Sequence, residues 1–219
     1  MAASSSSKSY LLYGSTGSGS AAVEAALVRC GVPLRVVRAS TWERDSAQAA
    51  LQRANPLRQI PTLQLPDGSV LTESAAILLH LGLQYPSAGL LPEDTGARAQ
   101  AIRALVFIAA NCYAAISVID YPQRWCVKAD ADTRERIRRG TRRRLHLHWA
   151  MFAESFGAQP WFAGGAPGAP ALLAAVVSRW AGSRAFLAKK APAFHARLLQ
   201  IERHPSVAAV FEQHWPVAA

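Results

Sequence analysis

Ile60-Pro61-Thr62-Leu63-Gln64-Leu65-Pro66-Asp67-Gly68-Ser69-Val70-Leu71-Thr72-Glu73-Ser74-Ala75-Ala76-Ile77 is the stretch on which the reading of the fold turns. Thr62 to Leu65 and Ser69 to Leu71 are short β-type runs, and Pro66-Asp67-Gly68 supplies turn chemistry between them. A helix follows and runs to about Tyr85, with Thr72 or Ser74 as its cap. The backbone N–H groups left over at such a terminus form an anion site suited to a carboxylate. Glu73, one step away, is placed to receive a cation. An α-amino acid end, carboxylate and ammonium on one carbon, satisfies both.

Working outward toward the N-terminus, Ser9 to Tyr13 reads as a first strand and Gly14 to Ser20 as a flexible turn. Ala21 to Cys30 has the helical spacing of Val23, Ala26, Leu27 and Cys30, ended by Gly31 and Pro33. Leu34 to Val37 is a second strand, parallel to the first if the helix crosses over in the usual way. A short helix from about Ala47 to Arg53 leads to Asn55-Pro56. The order β-α-β-α-β-β-α is that of a thioredoxin-like domain. Beyond it, 86–97 reads as a linker, and no convincing strand appears afterwards. Helices are predicted over Arg98 to Asp120, Asp132 to Phe156, Ala171 to Trp180 and Ala191 to about Glu202, with a last short one in Pro205 to Phe211. The fold class is therefore α/β plus all-α: a loose tail over 1–8, a thioredoxin-like domain over 9–85, and an all-α domain over 98–219.

The composition narrows the function classes. At 219 residues, with 51% hydrophobic residues and a mean hydropathy of +0.08, the chain has the means to bury a core and is not a disordered type. The opening residues lack the apolar segment of a signal peptide. The most apolar later run, Leu105 to Ile119, is interrupted by Asn111 and falls short of the ~20 residues that span a bilayer. A soluble cytoplasmic protein with no membrane partner is expected. Cys30, Cys112 and Cys126 are scattered without a Cys-x-x-Cys, and His146 and His148 sit on different helix faces, so no metal site is expected. The net charge is +10, and seven arginines fall between Arg134 and Arg144. They read as the wet side of a helix; without a recognition motif or interleaved aromatics, no nucleic-acid partner is expected.

Gly17-Ser18-Gly19-Ser20-Ala21-Ala22 satisfies the Gly-x-Gly-x-x-Gly/Ala pattern of dinucleotide sites, between a strand and a helix. The acid expected about 20 residues on is absent, since the second strand ends at Arg38-Ala39-Ser40. A Rossmann unit also needs further parallel strands, whereas this chain makes a hairpin and then turns helical. Walker A fails because no Lys follows Gly19. A redox thiol at the start of the first helix is excluded too, because no Cys lies between positions 14 and 22.

The 60–77 stretch resembles the glutathione-binding signature of the glutathione S-transferase family, and the resemblance extends over nearly all of the chain beyond the tail. It implies that Ile60, ahead of a cis Pro61, pairs its backbone with the cysteinyl part of glutathione, while Glu73 and Ser74 hold the γ-glutamyl end. Trp42, Arg58 and Gln59 become candidates for the glycyl carboxylate. The family places a Tyr, Ser or Cys in the turn after the first strand, where a donor stabilises the glutathione thiolate. One bond to a charged group contributes about 1.5–3 kcal/mol, or roughly one to two pKa units. Here the serine and cysteine slots fall on Gly17 and Gly19, so Ser18 and then Ser15 are the catalytic candidates, with backbone N–H groups as an alternative. The second substrate, a small apolar electrophile, is expected near Asn111, Tyr113, Asp120, Tyr121 and Trp125. Where the family carries a Ser/Thr-x-x-Asp capping box, this chain has Gly168-Ala169-Pro170-Ala171. The activity implied is conjugation of glutathione, a co-substrate, to that electrophile by a cytoplasmic homodimer. The rival is a glutathione-binding or structural protein without turnover, which the two glycines favour.

Overall fold

The computed structural model describes residues 9–162 and 165–216; the tail expected over 1–8 lies outside them. The chain divides into two compact units. One holds the chain up to Leu90 together with the C-terminal segment from Pro205, and the other is Leu91–His204.

The first unit is built on a four-stranded sheet in the order β2-β1-β3-β4. Its strands are β1 (Tyr10–Gly14), β2 (Leu34–Arg38), β3 (Thr62–Gln64) and β4 (Val70–Leu71). β1 runs parallel to β2, with Gly14 opposite Arg38, and antiparallel to β3, with Tyr13 opposite Thr62. β3 and β4 are antiparallel, with Leu63 opposite Leu71. This register brings the ends of β1, β2 and β4 and the start of β3 to one end of the sheet. The turn after Gly14, the loop after Arg38, Ile60-Pro61 and Thr72–Ser74 are therefore neighbours by topology, although they are far apart in sequence.

Alternation along β1 sorts its side chains by face. Tyr13 packs with Ala39 and Leu51, joined by Leu11, Val37 and Ala50, under α2 (Gln48–Ala54). Leu12, fully buried, points to the opposite face. α1 (Ser20–Cys30) packs against α3 (Ser74–Gln84) and against α10 (Ala208–His214), and its residues Ser20 to Leu27 are all buried. Four alanines in that run, at 21, 22, 25 and 26, let neighbours approach on every side. In the hairpin, Asp67 Oδ1 accepts from the Ser69 N–H at 2.8 Å and the Ser69 hydroxyl at 2.6 Å. Gly68 takes the left-handed φ of 94° that the turn needs.

Among the described residues the second unit is all helical: α4 (Thr95–Phe107), a π-helical turn (Ile108–Tyr113), α5 (Ala114–Asp120), α6 (Ala131–Phe156), α7 (Ala169–Val177), α8 (Ser183–Lys190) and α9 (Pro192–Glu202). α4 is capped by Asp94, which accepts from the Ala97 N–H at 2.7 Å, and α6 by Asp130, which accepts from Thr133. Leu145, Trp149, Phe152 and Phe156 form the buried stripe of α6. Around Phe152 gather Phe107, Phe162 and Phe194, with ring centroids 5.7–6.0 Å away. Every residue of α7 is buried, and its N-cap position, Gly168, makes no side-chain cap bond.

The order of the first unit and the helical second unit have the expected class, a thioredoxin-like domain followed by helices. Four details differ from the sequence reading. The N-cap position of α3 is Glu73, with no side-chain cap bond, and Ser74 is already helical, so neither Thr72 nor Ser74 caps it. α8 was not foreseen. The last helix clusters with the first unit rather than with the other helices. Helix is continuous through the π turn from Thr95 to Asp120, and these 26 residues, with a window of mean hydropathy 1.9, are long and apolar enough to cross a membrane by those two measures. The expectation that the apolar run is too short therefore fails, because the helix starts well before Leu105. Its buried positions, Ala101, Ala104, Leu105, Ile108, Cys112, Ile116 and Ile119, recur every three or four residues, the stripe of a packed core helix.

Candidate functional site

At the shared end of the sheet, the Ile60-Pro61 peptide bond is cis. The Ile60 N–H and C=O make no hydrogen bond among the described residues. One residue of chain thus offers a donor and an acceptor beside the sheet, which is what an extended peptide pairs with. The loop ahead of it is fastened by buried Asn55, whose Nδ2 donates to the Gln59 carbonyl at 3.1 Å and to Thr62 Oγ1 at 3.0 Å. Asn55 Oδ1 accepts from the Leu57 N–H at 3.0 Å. Asn55 was read from sequence only as the start of an Asn-Pro break. Its two-sided amide, set between a helix end and the cis-proline strand, is the signal that identifies it.

Glu73 has φ 64° and ψ 110°. A side-chain-bearing residue in that region is strained by about 1–3 kcal/mol, and such residues gather at ligand sites. Its side chain is exposed and has no ion-pair or hydrogen-bond partner among the described residues. Ser74, the first helical residue of α3, is 6% exposed. An unpaired carboxylate on a strained backbone thus stands beside a buried hydroxyl and the free N–H groups of an 11-residue helix.

In the turn after β1, the hydroxyls close on one another. Ser18 Oγ donates to the Ser15 carbonyl at 2.7 Å and lies 2.8 Å from Ser20 Oγ. Ser20 N–H donates to Ser18 Oγ at 3.2 Å. Ser15 Oγ donates to Glu43 Oε2 at 2.8 Å. Ser15, Ser18 and Ser20 are all buried, and Thr16 is the exposed residue of the turn. Glu43 collects two further donors, Ser40 Oγ at 2.9 Å and Arg38 Nη2 at 2.7 Å. The Arg38 bond, seconded by those from Ser15 and Ser40, brings its carboxyl down to about 2, against the opposing effect of desolvation. Sequence reasoning missed Glu43. Its placement one residue past Trp42, in the loop leading from β2, is legible only once the sheet end is assembled.

Of the other predicted contacts, Trp42 is 58% exposed. Arg58, at φ 55°, donates to Gln48 Oε1 at 3.2 Å on the surface, and Gln59 is exposed with its carbonyl taken by Asn55 and Thr62. The predicted electrophile contacts lie in the second unit. Asn111 belongs to the π turn, its carbonyl 2.9 Å from His148 Nδ1. Tyr113 packs on Trp180 with centroids 5.5 Å apart, Tyr121 lies under the Arg124 guanidinium at 4.0 Å, and Trp125 is 62% exposed. Also in this unit, a groove of about 350 Å³ is lined by Arg139, Arg142, Arg143, His146, Leu147 and Phe186 and includes none of the predicted residues. Burial pushes the Cys30 thiol up to about 11 and that of Cys112 to about 12, away from the thiolate that redox chemistry needs.

Residues 20–84 match the family model for the glutathione S-transferase N-terminal domain. A glutathione transferase homolog from Sulfitobacter, solved with bound glutathione, superposes with a TM-score of 0.79 at 25% identity, covering 93% of this chain and 97% of that one. Residues 20–84 thus belong to the glutathione S-transferase N-terminal domain family, and the likeness to a solved transferase homolog runs through nearly the whole chain. Among its relatives are the uncharacterized GST-like protein YncG of Escherichia coli, 34% identical over 58% of this chain, and the maleylacetoacetate isomerase of Pseudomonas aeruginosa, 29% identical over 63%. The chain matches 62% of the length of each of these two. In the turn of this chain, Gly17 and Gly19 stand at the slots where the resemblance expects an activating residue, and the protons of Ser15 and Ser18 are engaged by Glu43 and by the Ser15 carbonyl.

Proposed function

We propose that this protein is a glutathione S-transferase that binds glutathione at the shared end of the sheet and passes its thiolate to a small apolar electrophile. Glu73 carries the reading: an exposed, unpaired acid held at a costly φ of 64° beside buried Ser74 answers the ammonium and carboxylate of a γ-glutamyl end. Ile60, ahead of Pro61, pairs its free backbone groups with the cysteinyl residue. Trp42, Arg58 and Gln59 are available to the glycyl carboxylate.

The sulfur falls near the 14–20 turn. Ser18 and Ser15 reach it only by giving up their bonds to the Ser15 carbonyl and to Glu43. Thr16 is exposed, and its hydroxyl has no partner among the described residues, so we assign it the donor role and leave the serines to shape the turn. A hydrogen bond to the thiolate lowers the thiol pKa toward neutrality, and its proton leaves to water. The sulfur lone pair then forms the C–S bond as the carbon–leaving-group bond breaks and the leaving group departs with its electrons. Orientation of the electrophile supplies the remaining acceleration; Asn111, Tyr113, Tyr121 and Trp125 are its proposed contacts. The protein acts as a cytoplasmic homodimer with no metal.

A second reading keeps the binding and drops the turnover. It is favoured by Gly17 and Gly19 at the activating slots. An assay of conjugation to an aryl halide, run beside retention on a glutathione column, separates the two. Thioether formation above the uncatalysed rate supports the transferase; retention without thioether formation supports the second reading, and neither retention nor conjugation contradicts both. Because one relative is a maleylacetoacetate isomerase, an isomerisation assay with maleylacetoacetate belongs in the same series.

A further inference from the structure

We propose that His214, from the C-terminal helix, is a positioning residue for the 14–20 turn, so that α10 is part of the glutathione-binding apparatus. The inference rests on the reading that glutathione sulfur lies at this turn.

His214 is buried, and both of its ring nitrogens are engaged. Nδ1 accepts the Gly17 N–H at 3.1 Å, and Nε2 lies 2.9 Å from Glu24 Oε2 on α1. A backbone N–H only donates, so Nδ1 carries no hydrogen in this arrangement; Nε2 carries it and donates to the Glu24 carboxylate. Only the neutral Nε2–H tautomer serves both contacts. Glu24 thus holds the ring in the orientation in which Nδ1 faces the turn. Trp215 lies beside it, with ring centroids 5.5 Å apart.

The target of this contact is Gly17, at φ 69°, the slot where the family resemblance puts an activating serine. A side chain there is strained by the φ itself, while an added Cβ meets Trp215 Nε1 at 3.6 Å, an ordinary contact. The turn is therefore clamped on both sides of Thr16. Ser15 is tied to Glu43, and Gly17 is tied to His214. Between the two ties, Thr16 is the residue left facing solvent. A loop held this way presents its hydroxyl and N–H groups in one place, and a ligand need not order it on binding.

The test uses two variants that divide the ring's two contacts. In His214→Asn the amide oxygen stands near the Nδ1 position and accepts from Gly17, without reach to Glu24. In His214→Gln the longer side chain reaches Glu24 and leaves Gly17 without its acceptor. Glutathione affinity is measured by calorimetry, melting temperature by thermal unfolding, and the Gly17 amide by its exchange rate and 15N–1H shift in the ligand-free protein. The expected result is a roughly five-fold weaker glutathione Kd for His214→Gln, with His214→Asn within about two-fold of the parent although both variants melt at similar temperatures. The Gly17 amide exchanges fast in the first and slowly in the second. Affinity that follows melting temperature in both variants, or a Gly17 amide that is indifferent to either, overturns the proposal. Absence of glutathione uptake by the unaltered protein overturns the functional reading instead, and the Gly17 amide still decides the positioning.

Discussion

At Glu73, backbone and charge pull against each other. The φ of 64° is one that glycine adopts freely, whereas the carboxylate is the feature a γ-glutamyl ammonium needs. Glu73→Gly is expected to stabilise the fold by about 1 kcal/mol, the relief of strain less the entropy that glycine loses. It is also expected to weaken glutathione binding by about ten-fold or more, as loss of a charged hydrogen-bonded pair does. Thermal unfolding beside calorimetry checks both, and a variant that loses stability contradicts the strain argument. The turn yields a second contrast. Ser18→Ala removes a buried hydroxyl that bonds to Ser15 and Ser20, so a destabilisation of about 1–2 kcal/mol is expected, with turnover falling only as the fold loosens. Thr16→Val is expected to leave the melting temperature unchanged and to raise the pKa of bound glutathione thiol, read from thiolate absorbance against pH. If Ser18→Ala raises that pKa and Thr16→Val does not, Ser18 is the donor.

Among the elements, the loop carrying Glu43 ties β2 to the turn after β1, and its contribution depends on pH. The Glu43 carboxyl is held near 2, below its ordinary 4.5, chiefly by Arg38. A depressed acid adds stability that is fully present above its unfolded value and is lost as pH falls through the folded one. The parent is therefore expected to lose this contribution between about pH 4.5 and 2, while Glu43→Gln loses less over that window; unfolding midpoints measured across it check the difference. Elements with strong local signals were legible in the sequence: the Asp67-Gly68 turn, the Gly31 stop, and the long helix α6 with its arginine-rich wet side. α8 was not, since it begins after a left-handed Gly182 and is held by tertiary contacts. Arg184 of α8 donates through Nε to Ser178 Oγ at 2.7 Å and also pairs with Glu202 of α9. The π turn at Ile108–Tyr113 has no local marker either, because its sequence is ordinary for a buried helix.

In the whole molecule, the chain order of strands and helices announced the fold, because the 60–77 stretch states a hairpin, an X-Pro and a helix start in eighteen consecutive residues. What the sequence withheld were links between distant segments. Asn55 to Thr62 is short enough to guess; Ser15 to Glu43 needs the sheet register, and Gly17 to His214 needs the last helix to return to the first unit. The placement of Ser18 failed to show for the same reason. A serine in a glycine-rich turn looks available until the Ser15 carbonyl is seen to take its proton. The most direct test of the account is a crystal structure of the protein soaked with glutathione. The expected result is a tripeptide with its γ-glutamyl group on Glu73 and Ser74 and its cysteinyl main chain paired with Ile60. Glutathione bound elsewhere, or a γ-glutamyl group that leaves Glu73 unpaired, contradicts it.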